Sequence, residues 1–378
     1  MPRKVHVATT SGFPPDAPAD ENRRRALRCV EAAGQRGADL VCLPEGYPGH
    51  ENTRHPEHVP GETYEALAGL ARRYGLWVVA GLYVARAPGD GGVSNCALVI
   101  DRQGELAGCY AKVHPTIDEC ESHGVVPGTE PVVVDTDFGR IGLAICYDIG
   151  WPDHWAELGR RGAELVVWLS AYDGGFPLSC YAWNHHYQIV SSVRSDHGRM
   201  IDMTGSDIAS TNPWHGTAYG HLDLEQELFH ADYNENHLAR LQSEMGDRVT
   251  VRAFAEERFF TLQSNDPGWP VHRIKARYGL ENFPDYYARA TAVQEKYRDR
   301  AARPRPLGTP LGWLPRETGH HRGGRPAGPG PDGTGALRGA RGRGRRPRAR
   351  GAAEPGRGLG PRRRPHRLPG HRTRRGRL

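Results

Sequence analysis

Short apolar runs alternate with amphipathic ones along the first 300 residues, and this alternation is what most constrains the fold. Residues 38–43 (Ala-Asp-Leu-Val-Cys-Leu), 140–145 (Arg-Ile-Gly-Leu-Ala-Ile) and 164–169 (Glu-Leu-Val-Val-Trp-Leu) each follow a glycine closely and are too short for core helices. Such runs read as strands buried on both faces. Residues 76–84 and 95–101 flank the turn Pro88-Gly-Asp-Gly-Gly92 and predict a hairpin. Residues 5–10, 130–137, 185–193, 199–204 and 248–254 predict further strands. Residues 22–37, 62–74 and 153–162 space their apolar side chains helically, and the first two stop at a glycine. Hairpins and helices alternating over this length predict an α/β sandwich rather than a purely parallel sheet. No internal repeat is visible.

The alternation ends near residue 303. Residues 301–378 contain 21 arginines, no lysine and three acids, a balance of +18. Residues 1–300 hold 29 basic and 41 acidic side chains, a balance of −12, so the overall +6 averages an acidic body with a basic tail. The body is long enough for one large core. We place the main domain at 1–267, a helical arm that packs on the body or on a second subunit at 268–302, and an Arg/Gly/Pro-rich tail at 303–378. The tail has too little apolar surface to offset its ordering entropy and is expected to be disordered. It is also the one segment that could bind nucleic acid, although it has no Phe, Tyr or Lys and no regular spacing. The N-terminus shows no apolar leader segment, and no run approaches the roughly 20 apolar residues of a membrane helix. Seven cysteines without framework spacing suit free thiols in a reducing cytoplasm.

Three strand ends carry residues with chemical potential. Glu45 follows the run 38–43 and Pro44, so its carboxylate is held at the edge of the core. Lys112 lies in Tyr110-Ala-Lys-Val-His114-Pro-Thr116-Ile-Asp118-Glu119. Cys146 ends the run 140–145 and precedes Tyr147-Asp148 and the break Gly150-Trp-Pro152. A thiol at the exit of a buried strand can be aimed into a cleft by a rigid scaffold. Singly, each also reads as an ordinary loop acid, surface lysine or inert buried thiol.

Together and in this order they resemble the nitrilase superfamily of carbon–nitrogen hydrolases. The resemblance covers roughly residues 4–265 and rests on three local contexts: Pro-Glu after a strand, Tyr-x-Lys-x-His-Pro, and Gly-x-x-Ile-Cys-Tyr-Asp-x-x-Trp-Pro. It implies a four-layer αββα sandwich, self-association and a cofactor-independent Glu-Lys-Cys triad. Cys146 would attack an amide carbonyl or nitrile carbon. Glu45 would move protons, a task that burial suits by raising a carboxylate's proton affinity. Lys112 and the backbone N–H of Tyr147 would stabilise the oxyanion. Glu119 matches a second glutamate that positions the lysine and substrate, with Asp118 and Glu121 as competitors for that part.

The same resemblance bears on substrate. Cys-Tyr-Asp favours small amides, with ammonia released through a thioester, whereas Pro-Thr116 and the seven-residue gap from Lys112 to Glu119 look like the nitrile-hydrolysing branch. Branches that take carbamoyl amino acids carry arginine three or four residues after the cysteine. Here those positions are Ile149 and Gly150, which disfavours an acidic substrate unless another base such as Arg194 substitutes. Tyr47, Tyr147, Trp151, Trp168, Ala171 and Tyr172 are candidates to line the pocket. Cys109, His114, Cys120 and His123 crowd one loop, but their spacing fits no zinc finger or ribbon, so no metal is expected. A Cys-His protease is also disfavoured, because Cys146 lacks the small residues of a nucleophile elbow.

Overall fold

The computed structural model describes residues 3–49, 51–86 and 92–298. The predicted turn over 88–92 falls largely outside them, and so does the tail, including its expected disorder and nucleic-acid binding.

Two six-stranded sheets form the body. The first is built from β1 (Lys4–Thr10), β2 (Leu40–Leu43), β3 (Trp77–Ala85), β4 (Val93–Ile100) and β5 (Leu106–Ala111). The second contains β6 (Val132–Asp135), β7 (Arg140–Ile145), β8 (Leu165–Ser170), β9 (Gln188–Val193), β10 (Arg199–Ile201) and β11 (Asp207–Ser210). The chain then returns to the first sheet as β12 (Thr217–Asp223), giving the orders β12-β1-β2-β3-β4-β5 and β11-β10-β9-β8-β7-β6. Read from β12 and from β6, both sheets follow one pattern: an antiparallel pair, two parallel pairs, then two antiparallel pairs. The repeat that the sequence conceals is therefore present in the topology.

The sheets stack face to face. Val5, Val7, Leu40, Val79 and Val99 of one meet Ile141, Leu143, Leu165, Val167 and Val190 of the other in a single apolar layer. The outer face of the first sheet is covered by the helices Ala19–Gln35 and Glu62–Tyr74, through Ala26, Val30, Leu67 and Ala71. The outer face of the second is covered by Pro152–Arg160 and Phe176–His185, through Trp155, Leu158, Leu178 and Ala182. This is the predicted αββα sandwich. Strands buried on both faces explain why β2, β7 and β8 read as unbroken apolar runs.

Some boundaries differ from expectation: the strand over 199–204 ends at Ile201 and that over 130–137 covers Val132–Asp135. The largest change is at 185–193, expected wholly as strand, where a helix runs through His185 and β9 begins only at Gln188. His186 adopts the left-handed conformation (φ 55°) that ends this helix. The helix buries only Leu178 and Ala182, one turn apart, so its apolar stripe is too narrow to read from sequence.

A third, antiparallel sheet joins β13 (Glu227–His230), β14 (Val249–Phe254) and β15 (Phe259–Ser264) in the order β13-β15-β14. The helix Val271–Tyr278, predicted as part of the arm, packs Val271, Ile274 and Tyr278 against Phe229, Phe260 and Leu262 of this sheet. The last helix, Phe283–Arg298, is anchored by Phe283 against His186 and by Tyr286 stacked on His230. Among the described residues no helix is long and apolar enough to cross a membrane.

Candidate active site

Strand direction assembles the site. β1, β2 and β3 run parallel and β4 reverses, so β5 again points the same way. Glu45 after β2, Lys112 after β5 and Asn95 near the start of β4 therefore share one end of the first sheet. β7, β8 and β9 are likewise parallel, which puts Cys146, Ser170 and Arg194 at one end of the second. The Ser192 hydroxyl donates to the carbonyls of Thr10 (2.9 Å) and Cys42 (3.0 Å), pinning these two ends together.

Lys112 is 1% exposed and sits between two carboxylates. Its Nζ donates to Glu45 Oε1 at 2.8 Å and to Glu119 Oε2 at 2.7 Å. The Asn95 amide donates to Glu45 Oε1 and to Glu119 Oε1, both at 2.7 Å, and closes the cluster. Burial works against the ammonium, but the charges of Glu45 and Glu119 outweigh it and hold its pKa above the ordinary lysine range. Burial likewise favours the neutral form of Glu119. Lys112, the Thr116 N–H and Asn95 reverse this and hold its carboxyl below the usual range.

Of Asp118, Glu119 and Glu121, Glu119 is the one that reaches Lys112, and a capping box is the reason. Thr116 caps the short helix Ile117–Glu121: its hydroxyl accepts from Glu119 N (3.2 Å) while its own N–H donates to Glu119 Oε2 (2.8 Å). This turns the Glu119 side chain back towards Lys112. Asp118 lies on the exposed side against His123, and Glu121 is exposed.

Cys146 is the first residue of a 3-10 turn, Cys146–Gly150, and has φ +46°, a strained region for a residue with a Cβ. Its thiol is buried and faces the Ser170 hydroxyl and the Ala171 backbone N–H. Burial, reinforced by the Glu45 charge, pushes the thiol up to about 12, against the opposing pull of Lys112, Ser170 and Ala171. The other Glu45 oxygen, Oε2, is buried with no hydrogen-bond partner among the described residues.

Asp148 locks the turn to the lysine loop and is fully buried. One of its oxygens accepts from Tyr110 Oη (2.6 Å) and Ile145 N (2.8 Å), the other from His114 N (3.0 Å) and Nδ1 (2.9 Å). The residues flanking Lys112 in Tyr-x-Lys-x-His thus bind the residue two after Cys146, and the two sequence motifs are halves of one hydrogen-bond network. His114, Asp148 and His154 bring ligand-type atoms within 4.8 Å of one another. With four donors already on Asp148, this cluster is a network rather than a cation cage. The four residues weighed for zinc are not brought together: Cys109 meets the Cys96 thiol, His114 meets Asp148, and His123 meets Thr53 and Asp118.

The pocket candidates divide. Burial, with the Glu45 charge adding to it, raises the Tyr172 hydroxyl to about 12. Tyr147 and Trp151 meet edge-on at 5.1 Å, and Trp151 stacks on His114 at 4.2 Å. All three rings are partly exposed, and Ala171 contacts the sulfur through its N–H. Trp168 lies beneath the turn instead, fully buried, donating from Nε1 to Cys146 O at 3.1 Å. Tyr47 packs with the helix-facing core against Phe13. It diverges from Glu45 because Gly46 turns the chain at φ +48°.

Asn95 and Ser170 were not anticipated. Ser170 ends an apolar, fully buried strand and Asn95 sits beside Ser94 in another buried strand, and those buried polar residues are the available signal. Gly81 is the other hidden determinant. A Cβ there would come within 2.5 Å of Glu45 Cα and Pro44 O. Gly81→Ala is therefore expected to shift Glu45, lowering kcat/KM about 100-fold and stability by about 1–3 kcal/mol. Steady-state kinetics and thermal unfolding of the variant check both numbers.

The carbon–nitrogen hydrolase family model matches residues 8–227. The omega-amidase NIT2 of Xenopus tropicalis is 24% identical over 249 residues, covering 60% of this chain and 87% of that protein. A hydrolase of Mycobacterium tuberculosis is 34% identical over 150 residues, 38% of this chain and 53% of its own length. Among solved structures, Nit3 of Saccharomyces cerevisiae, of branch 10 of the nitrilase superfamily, superposes with TM-score 0.54 at 21% identity, over 58% of this chain and 90% of that one. An amidase from Nesterenkonia sp. superposes with TM-score 0.51 at 21% identity, over 64% and 95%. The chain belongs to the carbon–nitrogen hydrolase family and is an enzyme of that class.

Proposed function

We propose that this enzyme hydrolyses small amides to a carboxylic acid and ammonia through a thioester on Cys146. The observation that carries the reading is the buried thiol beside a lysine clamped by two carboxylates, one of which, Glu45, keeps an unpartnered oxygen. Burial, reinforced by the Glu45 charge, favours the protonated thiol, so its proton leaves as the bond forms. Glu45 Oε2 is the acceptor. Sulfur adds to the carbonyl carbon, and the oxyanion is stabilised by Lys112 and by N–H groups of the Cys146–Gly150 turn, whose first amides have no partner within it. The C–N bond then breaks, Glu45 returns the proton, and ammonia leaves. Water attacks the thioester with Glu45 again as base, releasing the acid and restoring the thiol.

Glu119 holds Lys112 in place, and Tyr147, Trp151, Ala171 and Tyr172 border the substrate. The relative named as an omega-amidase and the amidase neighbour support amides over nitriles. The family reading involves no cofactor. A reducing compartment suits it, because all seven cysteines are free.

Ammonia release over a panel of aliphatic amides, carbamoyl compounds and nitriles tests the reading. Amides are expected to turn over, and a protein that hydrolyses only nitriles would overturn it. Glu45→Gln is expected to lower kcat/KM by about 10²–10⁴-fold. The residual rate should climb with pH between 7 and 9, since only pre-ionised thiolate remains to react, whereas the parent rate should not. A variant with a flat pH profile would remove Glu45 from the role of base.

A further inference from the structure

We infer that Cys96 and Cys109 form a dithiol modification site, and that low-mass disulfides close it into a cross-strand bond that switches off the active site on the opposite face of the sheet.

The two residues lie on neighbouring strands, β4 and the edge strand β5. The register pairs Cys96 with Ala111 and Leu98 with Cys109, so the cysteines are diagonal neighbours on one face. That face is the outer one. Cys96 packs with Leu98 and Ile100 in the helix-facing core, whereas Ala97, Val99 and Tyr110 point into the layer between the sheets. Cys96 is buried and Cys109 is exposed. The Cys96 thiol donates to the Cys109 sulfur. This bond outweighs burial and holds the Cys109 thiol below the usual cysteine range, while the same bond, with burial, pushes Cys96 above it. Cys109 is therefore the attacking sulfur, open to solvent and the readier to ionise, and Cys96 is the resolving one behind it.

The active site is one residue away. Asn95 precedes Cys96, and its carbonyl accepts from Lys112 N at 2.8 Å across the same two strands. The side chains of these two residues hold Glu45 and Glu119. Diagonal cross-strand neighbours stand about 7–8 Å apart, whereas a disulfide holds its Cα atoms at roughly 4.4–6.8 Å. Closing the bond therefore draws β5 along β4 and shifts Lys112 against Asn95. A lysine shared between two carboxylates loses its catalytic geometry on such a displacement.

The chemistry is thiol–disulfide exchange. The Cys109 thiolate attacks one sulfur of the small disulfide, whose S–S bond breaks, and the first small thiolate leaves. Cys96 then attacks the Cys109 sulfur of the mixed disulfide, and the second small thiolate leaves. The protons of the two cysteines end on the two small thiols. The protein dithiol is oxidised by two electrons and the small disulfide is reduced by the same two. Excess thiol reverses the sequence.

The test incubates the full-length enzyme with oxidised glutathione, maps its peptides without reduction, and follows turnover of whichever amide or nitrile of the panel reacts fastest. The result is then independent of which of these the enzyme prefers. A Cys96–Cys109 linked peptide pair is expected, with turnover falling about 10-fold or more in step with it and returning on treatment with dithiothreitol. Cys109→Ser should match the untreated parent in turnover and keep most of it after treatment. Glutathione held on Cys109 with no bond to Cys96 overturns the dithiol assignment. A Cys96–Cys109 bond at unchanged turnover overturns the switch. Loss of turnover in Cys109→Ser as fast as in the parent also overturns it, by placing the sensitive thiol elsewhere, as at Cys146. The peptide map of the unmodified enzyme decides the dithiol assignment whether or not the variant folds.

Discussion

Cys146→Ala is expected to lower ammonia release by about 10⁴-fold or more, with the fold retained. The expected loss is this large because no other nucleophile stands at the position. The Ser170 hydroxyl beside the sulfur also accepts from Tyr172 N at 3.1 Å and has no base aimed at it. The variant should fold because the main supports of the turn are independent of the sulfur. Asp148 carries four donors, and Trp168 holds the Cys146 carbonyl. Alanine keeps a Cβ, so the strained φ remains but gains no new clash. Single-turnover assays on the best amide, with thermal unfolding alongside, provide the check. Activity surviving the substitution would dismiss Cys146 as nucleophile.

Lys112→Met is expected to be nearly as damaging to activity and far more damaging to the fold. Methionine fills a similar volume, but two buried carboxylates then face each other across Asn95 with no cation between them. Breaking a buried ion pair by removing one partner costs about 3–5 kcal/mol. The pH dependence should change sign as well. In the parent, Glu119 has a depressed folded pKa, so its contribution is present above the unfolded carboxylate value and is lost only as pH falls through the lower folded value. In the variant one carboxyl of the pair is driven to bind a proton, its folded pKa rises above the unfolded value, and the variant gains stability as pH falls from 8 towards 5. Thermal unfolding across that range should therefore rise towards acid for the variant and stay flat, for this group, in the parent. A variant as stable as the parent at pH 8 would mean that the cluster is held by packing rather than by charge.

Much of this organisation is legible in the sequence. Strands buried on both faces have to be apolar without interruption, and β2, β7 and β8 announce themselves for that reason. Glu45, Lys112 and Cys146 were legible because each closes such a run or sits in a distinctive local context. The helix Phe176–His185 was not legible, since its buried stripe is two residues wide. Tyr47 misled because adjacency in sequence says nothing about direction once Gly46 reverses the chain, and Trp168 because a strand-end ring can face the helix layer as readily as the cleft.

By itself the sequence determined which strands are buried, which three ends carry reactive side chains, and that the body and the arginine-rich segment are different kinds of chain. These are local properties, set by composition and period over a few residues. Only the tertiary structure decided that Glu119 rather than Asp118 or Glu121 reaches Lys112, that Asn95 bridges two carboxylates, that Asp148 ties the two motifs together, and that Arg194 is buried with no carboxylate partner among the described residues. Each depends on distances between residues far apart in the chain, and side-chain geometry across strand ends has no sequence period to betray it.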